Sequence, residues 1–417
     1  MGEKRRVVIT GMGVVAATGV GKQAFWEGIS QGRNYVDRIT LYDPSPYPSQ
    51  VAAEIKNFNP SDHVEAQEVK RCHRQTPYAI AATKEALADA GLDPEKFSDK
   101  EREELGVIFG TAAGGLGFAE QQIKLLYGEG IRKMSPFTTT GTFVGMTSSD
   151  ISLYFGIKGI SVVISTGCTS ANDAVGYALS YIRSGMSDIL ISGGSEACIT
   201  PAIVGSFARC GAVSTKWNHD PKRASRPFNI DRDGFVMGEG GWVFIMEELE
   251  HARKRGAKIY AEVAGYGATC DAYHKTAPQP DGKDLSRAME LALKDARVEK
   301  EKVDYINLHG TSTMLNDKTE TIGIKLCFGK RAYSIPCSSY KSMIGHPQGA
   351  SGAAGIVISV LSMANNYLSP TINYENPDPE CDLDYVPNKG REKELNTIVC
   401  NSIGFGSKNS IIVIKKI

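Results

Sequence analysis

Short runs of β-branched and aliphatic residues alternate along the chain with longer segments whose apolar residues recur at every third or fourth position. The short runs predict strands and the longer segments predict helices. The predicted strands are residues 6–10, 106–110, 162–165, 189–192, 243–246, 259–265, 305–308, 397–401 and 411–414. The predicted helices are residues 77–90, 169–184, 285–296 and 349–364. This alternation predicts an α/β fold in which helices cover both faces of the sheets.

Two segments of the chain begin alike. Val7-Val-Ile-Thr-Gly-Met-Gly and Glu262-Val-Ala-Gly-Tyr-Gly both predict a strand that runs into a Gly-x-Gly-like sequence. We interpret the similarity as a duplication, with one half at residues 1–255 and the other at residues 256–417. Because no linker rich in proline, glycine or serine separates the halves, we expect one compact body.

Composition excludes some classes of partner. In 417 residues, 47 lysines and arginines balance 47 aspartates and glutamates, so no general field draws the chain to nucleic acid or to an anionic membrane. No apolar run is long enough to span a bilayer, and Gly11 and Gly13 favour a first strand over a secretory leader. The nine cysteines lack the spacing of a metal site, so we expect no bound metal and reduced thiols in the cytoplasm.

Cys168 lies where a predicted strand ends in a tight turn and a helix begins, in Ser165-Thr-Gly-Cys-Thr-Ser. The start of a helix favours the thiolate, which is the form that attacks a thioester. This position is typical of a nucleophile, and an inert buried cysteine is the alternative. The helix that follows carries a stripe of small and aliphatic residues, which predicts a central and closely packed helix. The stripe consists of Ala171, Ala174, Val175, Ala178, Leu179 and Ile182.

Two histidines lie in motifs further along the chain. His309, in His-Gly-Thr-Ser-Thr, follows a predicted strand and therefore lies at the sheet edge where open α/β folds place their chemistry. His346 ends Lys341-Ser-Met-Ile-Gly-His and precedes a helix, whose start favours a neutral imidazole. The alternatives are a loop-capping role for His309 and a merely solvated Lys341.

Three glycine-rich stretches have different interpretations. Gly404-Phe405-Gly406 joins two predicted strands as a gate, a backbone donor or an ordinary hairpin turn. Residues 11–16 imitate a dinucleotide fingerprint, but the required helix and acidic ribose ligand do not follow. Residues 110–117 lack the lysine of a phosphate-binding loop, so we expect a pocket wall there and no bound nucleotide.

These motifs together resemble those of the elongating β-ketoacyl-[acyl-carrier-protein] synthases, KAS II in particular, and of the related ketosynthase subunits of type II polyketide systems. The resemblance runs nearly end to end, through Val8-Ile-Thr-Gly-Met-Gly, Ser165-Thr-Gly-Cys-Thr-Ser, Ser225-Arg-Pro-Phe, Asp231-Arg-Asp-Gly-Phe, His309-Gly-Thr-Ser-Thr, Lys341-Ser-Met-Ile-Gly-His, 373–386 and 401–409. It implies the thiolase fold, a five-layered α-β-α-β-α duplication that usually forms a homodimer.

The resemblance also implies a reaction and a set of roles. Cys168 would carry the acyl chain as a thioester, and His309 and His346 would drive decarboxylation of malonyl-carrier protein, with Lys341 ordering the histidine loop. The backbone N–H groups of Cys168 and Phe405 would form the oxyanion hole. The other implied substrate-binding residues are Thr311, Thr313, Gly404 and Gly406. No metal or redox cofactor is implied, because phosphopantetheine arrives on the carrier protein.

The implied partners are an acidic acyl carrier protein and either a second copy of the chain or a related chain-length subunit. An acidic partner requires a local basic patch. The candidate residues for this patch are Lys70, Arg71, Arg74, Arg209 and Lys216.

The chain departs from the family pattern at four places. Gly355 stands where a glutamate usually pairs with the lysine, so the partner of Lys341 is left open. Ser407 replaces a glycine and is expected to stiffen its loop, and Met314 stands where proline is common. Ala113 replaces an isoleucine that lines the acyl pocket, so we expect room for long, bulky or polyene chains.

Two other functions are associated with similar sequence motifs. A thiolase has a second cysteine in a C-terminal Cys-Gly motif, and Ile403-Gly-Phe-Gly has none. A non-catalytic chain-length subunit usually lacks the nucleophile, whereas Cys168 is present. The choice between fatty-acid elongation and polyketide or polyene synthesis stays open.

Overall fold

The computed structural model of the protein describes residues 4–417. The strands are β1 (Val7–Ala16), β2 (Gly19–Val20), β3 (Asp37–Arg38), β4 (Val51–Ala53), β5 (Gly106–Gly110), β6 (Ser161–Ile164), β7 (Ile189–Glu196), β8 (Met237–Gly238), β9 (Gly240–Glu248), β10 (Ala261–Cys270), β11 (Tyr305–Asn307), β12 (Cys337–Ser338), β13 (Tyr367–Leu368), β14 (Arg391–Glu392), β15 (Thr397–Gly404) and β16 (Lys408–Lys415). The α-helices are α1 (Lys22–Ser30), α2 (Ala66–Val69), α3 (Gln75–Asp89), α4 (Asp99–Glu104), α5 (Leu116–Glu129), α6 (Thr138–Thr142), α7 (Met146–Phe155), α8 (Ser170–Arg183), α9 (Pro201–Arg209), α10 (Leu249–Lys254), α11 (Lys283–Ala296), α12 (Met314–Phe328), α13 (Lys341–Ile344) and α14 (Ser351–Asn365). Short 3₁₀ turns lie at Pro60–Asp62, Pro94–Lys96, Ile131–Lys133, Pro221–Arg223, Lys300–Lys302, Gly329–Ser334 and Gln348–Ala350.

The main sheet has the same strand pattern on both sides of its centre. Its order is β12-β11-β15-β16-β10-β1-β9-β7-β5-β6, with β2 paired to β1. On one side, β1 is antiparallel to β9, β9 is antiparallel to β7, and β7, β5 and β6 are parallel. On the other side, β10, β16, β15, β11 and β12 repeat these relations in the same sequence. The two sides are joined by antiparallel pairing of β1 with β10, in which Val8 lies opposite Glu262.

The helices form three layers around the two halves of this sheet. Helices α8 and α14 pack against each other and contact strands of both halves, so they form the central layer. Helices α3 and α7 cover the outer face of one half, and α11, with α12 against it, covers the outer face of the other. The predicted five-layered α-β-α-β-α arrangement of the thiolase fold is therefore confirmed.

The Gly-x-Gly sequences lie inside strands, whereas the sequence pattern placed them at strand ends. Strand β1 continues through Gly11 and Gly13 to Ala16. A Cβ atom at Gly13 would lie only 1.9 Å from the carbonyl oxygen of Ala82 in α3. The glycines therefore let the backbone of α3 lie directly on the strand, and they do not mark a turn.

Strand β10 repeats this arrangement in the second half. It continues through Gly265 and Gly267, and a Cβ atom at Gly267 would lie 2.4 Å from the carbonyl oxygen of Ala288 in α11. The pairing register of each strand shifts just before its first glycine. In β1 the shift lies between Ile9 and Gly11, and in β10 it lies between Val263 and Gly265. The two glycine pairs are thus equivalent contacts between an outer helix and a sheet.

The predicted elements agree with the observed ones, but the expectation that no helix follows the first glycine-rich stretch is wrong, because α1 follows β1 there. Each predicted strand and helix overlaps an observed one, and the whole Ala171–Ile182 stripe of α8 is buried. Helix α12 was not predicted because polar side chains such as Asp317, Glu320 and Thr321 are buried along it, which removes the hydrophobic period. Within residues 4–417, no helix combines the length and apolar character needed to cross a membrane.

The close packing of α11 on β10 leads to a stability prediction. We expect Gly267→Ala to lower the free energy of unfolding by about 1–3 kcal/mol, because the added methyl group meets backbone atoms that cannot move aside. The melting temperature measured by scanning calorimetry tests this. Gly128→Ala is the matched control, since nothing lies within 4 Å of its new Cβ atom in α5. Equal melting temperatures for the two variants would contradict the packing argument.

Candidate active site

Cys168 lies in the turn between β6 and α8, and both halves of the molecule hold it. Gly167 adopts φ +73°, which turns the chain sharply before the helix. The carbonyl oxygen of Cys168 accepts hydrogen bonds from the hydroxyls of Ser351, at 3.3 Å, and Ser402, at 3.0 Å. Because both serines come from the second half, the position of the cysteine depends on the packing of the two halves.

The Cys168 thiol is protonated at neutral pH. Burial raises its pKa to about 11, against the opposing effects of the backbone N–H of Phe405, the positive charge of Lys341 and its own backbone N–H. The thiolate expected from the helix start is therefore wrong for the resting protein, because loss of solvation outweighs the helix terminus. The backbone N–H groups of Phe405 and of Cys168 itself nevertheless lower the pKa of the thiol, so they lie beside the atom to which an acyl group would be attached.

His309 and His346 meet in the same cavity as Cys168. Their ring centroids are 5.2 Å apart and their planes are nearly perpendicular, at 86°. Burial lowers the pKa of both rings well below the usual histidine range, and the charge of Lys341 lowers it further. Nδ1 of each ring is buried without a hydrogen-bond partner, and both residues line the cavity in which a ligand would bind. Both rings are therefore neutral and able to donate one N–H.

Lys341 lies behind this cavity, where Glu320 interacts with its charge. Burial lowers the pKa of Lys341 to about 8, and the first influence that opposes this shift is the carboxylate of Glu320. Glu320 also accepts hydrogen bonds from the backbone N–H groups of His309 and Gly310, both at 2.8 Å, and from the amide of Asn401 at 3.1 Å. One buried carboxylate thus fixes the His309 loop and compensates the lysine.

Gly355 leaves no gap in the packing around this charge. A Cβ atom at Gly355 would lie 2.7 Å from Oδ1 of Asn307, so the asparagine side chain already occupies that space. Glu320 in α12 is the acidic residue with the largest electrostatic influence on the charge of Lys341.

The Gly404-Phe405-Gly406 segment lies at the tip of the β15–β16 hairpin. Gly404 approaches Cys168 closely, since a Cβ atom there would lie 3.4 Å from the cysteine nitrogen. Ser407 takes up a left-handed conformation at φ +63°. Its hydroxyl accepts hydrogen bonds from the backbone N–H groups of Tyr273, at 3.2 Å, and His274, at 3.1 Å. Ser407 therefore ties the hairpin to a neighbouring loop, which is consistent with the expected stiffening.

Thr311 and Thr313 line the cavity toward its opening. Their hydroxyl oxygens are 2.9 Å apart, and Met314 follows them on the cavity wall. Arg232 fixes this loop, because its buried guanidinium donates to the carbonyl oxygens of Thr313, at 3.1 Å, and Met314, at 3.0 Å. Asp378 accepts a further bond from the guanidinium at 2.7 Å. Sequence patterns alone did not reveal this positioning role of Arg232.

Ala113 lies in an apolar cluster with Phe207 and Phe405, beside the Cys168 cavity. The backbone N–H groups of Ala112 and Ala113 donate to the buried carboxylate of Glu196, at 2.7 and 3.3 Å. Ala113 itself is not among the residues that line the Cys168 cavity, so its assignment to the acyl pocket stays a prediction. Gly406 is not among the residues that line the cavity.

The five candidate docking residues do not form one group. The guanidinium of Arg74 is bound by the buried carboxylate of Glu239, at 2.5 Å, so part of its charge is already paired inside the protein. Arg71 pairs with Glu68 at 2.6 Å at the surface. Lys70, Arg209 and Lys216 are exposed. Arg209 ends α9 one residue before Cys210, which lies on the cavity wall.

Sequence reasoning missed two residues next to the chemistry. Glu320 follows His309 by eleven positions, and the buried acidic residues of α12 were the available signal. Gln348 lies against the Cys168 sulfur, and its position two residues after His346 was the signal. Within residues 4–417, no group of three or more histidine, cysteine, aspartate or glutamate side chains is arranged to hold a metal ion.

A buried thiol with two backbone N–H donors and two neutral imidazoles on a thiolase fold defines the class of condensing enzymes. More particularly, the chain belongs to the β-ketoacyl synthase family. The N-terminal domain of that family matches residues 4–252, and its C-terminal domain matches residues 260–375.

Curated relatives and solved structures agree with this assignment. The 3-oxoacyl-[acyl-carrier-protein] synthase 2 of Synechocystis sp. is 44% identical over 99% of both chains, and that of Coxiella burnetii is 41% identical over 100% of this chain and 99% of its own. A ketosynthase solved as AntDE:AntF, a type II PKS acyl-carrier protein in complex with its ketosynthase bound to the hexaketide, has a TM-score of 0.90 at 35% identity over 100% of both chains. The ishigamide ketosynthase/chain length factor has a TM-score of 0.91 at 33% identity, also over 100% of both chains.

The charge of Lys341 leads to a prediction about thiol reactivity. Its positive charge lowers the pKa of Cys168, so Lys341→Met should raise that pKa and slow alkylation by iodoacetamide roughly three- to tenfold at pH 7. Because the pKa of Lys341 is about 8, the difference between the two proteins should shrink above that pH.

Mass spectrometry of the Cys168 peptide across pH 6–10 measures the alkylation of Cys168 separately from the alkylation of the exposed thiols. Lys330→Met, which removes an exposed charge, is the control and should match the unmodified protein. A Lys341→Met variant that reacts as fast as the control at pH 7 would contradict the electrostatic argument.

Proposed function

We propose that this protein is an elongating β-ketoacyl-[acyl-carrier-protein] synthase. It joins an acyl group held on Cys168 to the two carbons left when malonyl-carrier protein loses CO₂. The observation that carries the proposal is the convergence of the Cys168 thiol, the Phe405 backbone and the His309 and His346 imidazoles on one cavity. The identity to relatives named 3-oxoacyl-[acyl-carrier-protein] synthase 2 supports the same reaction.

In the first half-reaction, the sulfur of Cys168 attacks the thioester carbonyl of an acyl chain on the phosphopantetheine arm. A new carbon–sulfur bond forms, the bond to the pantetheine sulfur breaks, and the thiol proton leaves with the pantetheine thiol. The carbonyl oxygen becomes negative during the attack and is stabilised by the backbone N–H groups of Cys168 and Phe405. Thr311 and Thr313 bind the arm along the cavity wall.

In the second half-reaction, malonyl-carrier protein enters and its thioester carbonyl accepts hydrogen bonds from His309 and His346. Loss of CO₂ leaves two electrons on the adjacent carbon as an enolate, and the two neutral imidazoles stabilise its oxygen. The enolate carbon attacks the acyl carbonyl, and the bond to the Cys168 sulfur breaks. The products are a 3-oxoacyl chain on the carrier protein and a sulfur that regains a proton from solvent.

The carrier protein docks at the mouth of the cavity. Arg209 is exposed one residue before Cys210 of the cavity wall, and Lys216 is exposed further along the chain. Lys70 and Arg71 are assigned to a second basic segment, with part of the charge of Arg71 already paired. The solved AntDE:AntF structure is of a ketosynthase with its acyl-carrier protein, which supports a partner of this class.

A second copy of the chain or a related chain-length subunit covers the edge of the main sheet. Strand β6 ends the sheet order, and its first two residues are exposed. Large apolar side chains are exposed in the preceding segment, which is typical of a protein interface. They are Leu116, Ile123, Tyr127, Ile131, Phe143 and Leu153. The nine cysteines are all unpaired, which supports a reducing compartment such as the cytoplasm.

The alternatives are less well supported. A chain-length subunit without activity does not need a thiol in an oxyanion-hole geometry, and a thiolase needs a second cysteine that Ile403-Gly-Phe-Gly does not supply. The pathway, whether fatty-acid, polyketide or polyene elongation, depends on which acyl chain binds beside Ala113.

The nucleophile assignment predicts that Cys168→Ala abolishes both acyl-enzyme formation and condensation, because no sulfur remains to carry the chain. Intact mass after incubation with acyl-carrier protein measures the adduct, and detection of 3-oxoacyl product measures condensation. Cys270→Ser, which changes an exposed thiol at the end of β10, should retain the adduct. Condensation by the Cys168→Ala variant would refute the proposed mechanism.

The pocket assignment predicts that Ala113→Ile shortens the accepted chain. The larger side chain points into the apolar cluster of Phe207 and Phe405, so acylation by long chains should fall roughly tenfold or more relative to short chains. Competition between carrier proteins loaded with acyl chains of graded length measures this ratio. Ala268→Ile adds the same bulk at an exposed position of β10 and should leave the ratio unchanged. An unchanged chain-length preference in Ala113→Ile would show that this residue does not line the acyl pocket.

A further inference from the structure

Gln348 places a buried carboxamide against the nucleophile. The Cys168 thiol donates to Oε1 of Gln348 at 3.6 Å, and Nε2 of Gln348 donates to the sulfur of Met237 at 3.4 Å. Gln348 is 4% exposed and lines the cavity that contains both catalytic histidines. The amide therefore lies beside any acyl group attached to Cys168.

We propose that Gln348 is a specificity-determining residue that selects acyl chains bearing an oxygen on the third carbon, counted from the thioester carbonyl. The inference rests on the proposed function, since it concerns the acyl group that Cys168 carries. It extends that function to the chemical class of the chain.

The partners of the amide in the absence of a substrate are weak ones. A thiol is a weak donor and a thioether is a weak acceptor, so neither replaces the hydrogen bonds that a carboxamide makes in water. Burying an amide without adequate partners is unfavourable, and buried polar groups normally have good ones. The protein itself thus satisfies little of the hydrogen-bonding capacity of this amide, and a ligand in the cavity can use the rest.

The backbone holds the amide at this place. Gln348 has φ +41°, a left-handed conformation that a side chain rarely adopts. The next residue, Gly349, donates its N–H to the buried carboxylate of Glu196 at 3.0 Å, and Ala350 donates to the carbonyl oxygen of Pro347 at 2.9 Å. A residue kept in a strained conformation beside a nucleophile is typical of a functional site.

The surroundings of the amide are apolar. Met237, which accepts from Gln348, belongs to the apolar cluster that contains Ala113, Phe207 and Phe405. A saturated chain that enters this cluster would cover the amide and leave its N–H groups without an oxygen acceptor. A chain with an oxygen on its third carbon would supply that acceptor next to the sulfur. A site that hydrogen-bonds one substrate group discriminates strongly against analogues that lack it.

The product of the proposed condensation carries such a group, because the former acyl carbonyl becomes the 3-oxo group. An enzyme that favours a third-carbon oxygen can take its own product back onto Cys168 for another round. No reduction is then required between rounds, and the reaction that consumes the finished chain must be one that acts on a chain still bearing oxo groups.

The test compares matched N-acetylcysteamine thioesters of octanoic, 3-oxooctanoic and 3-hydroxyoctanoic acid. Intact mass spectrometry follows the rate at which each acylates Cys168 in the full-length protein. We expect the two oxygenated chains to react at least about tenfold faster than the octanoyl chain. Gln348→Leu should remove this preference by slowing the oxygenated chains and accelerating the saturated one. Ala268→Ile, which adds bulk at an exposed position of β10, should keep the preference.

The possible outcomes separate the inference from the proposed function. If none of the thioesters acylates Cys168, the proposed function fails. If all three acylate it at similar rates in the unmodified protein, the function stands and the role of Gln348 is refuted, whatever the variants do. A preference that persists in Gln348→Leu also refutes that role. A faster octanoyl reaction in Gln348→Leu shows in the same experiment that the variant is folded.

Discussion

Burial of the reacting groups is the constraint on which the chemistry of this site depends. It keeps the Cys168 thiol protonated, holds His309 and His346 neutral, and brings the pKa of Lys341 down to about 8. A neutral imidazole still carries one N–H group, which can donate a hydrogen bond to the oxygen of a developing enolate. The carboxylate of Glu320 contributes to this arrangement in two ways, because it favours the charged form of Lys341 and binds the backbone N–H groups of His309 and Gly310.

The duplicated fold explains how such a site can be buried. The first half supplies Cys168 at the start of α8, and the second half supplies His309, His346 and the Phe405 hairpin. Helices α8 and α14 pack between the two halves of the sheet, so groups carried by both halves meet where solvent is excluded. Equivalent strands and glycine contacts thus give a symmetric framework, whereas the reacting groups it carries are entirely different in the two halves.

Much of this arrangement could be predicted from the sequence. Periodicity identified the strands and the α8 stripe, and the motifs around Cys168, His309 and His346 identified groups that the structure brings together. Features that depend on partners distant in sequence could not be predicted. Glu320 lies on a helix without hydrophobic period, Arg74 is bound by a carboxylate far along the chain, and the strand glycines are explained only by the helices packed on them.

The pairing of β1 with β10 has a consequence for how the molecule can be divided. It makes the two half-sheets one hydrogen-bonded surface, with Ile9 opposite Ala261 at the junction. Severing the polypeptide between the halves would leave each fragment with a bare strand edge and an uncovered face of its own central helix. Each fragment would tend to aggregate alone, and the two fragments would be complementary to each other. The duplication visible in the strand order therefore no longer corresponds to two independent folding units.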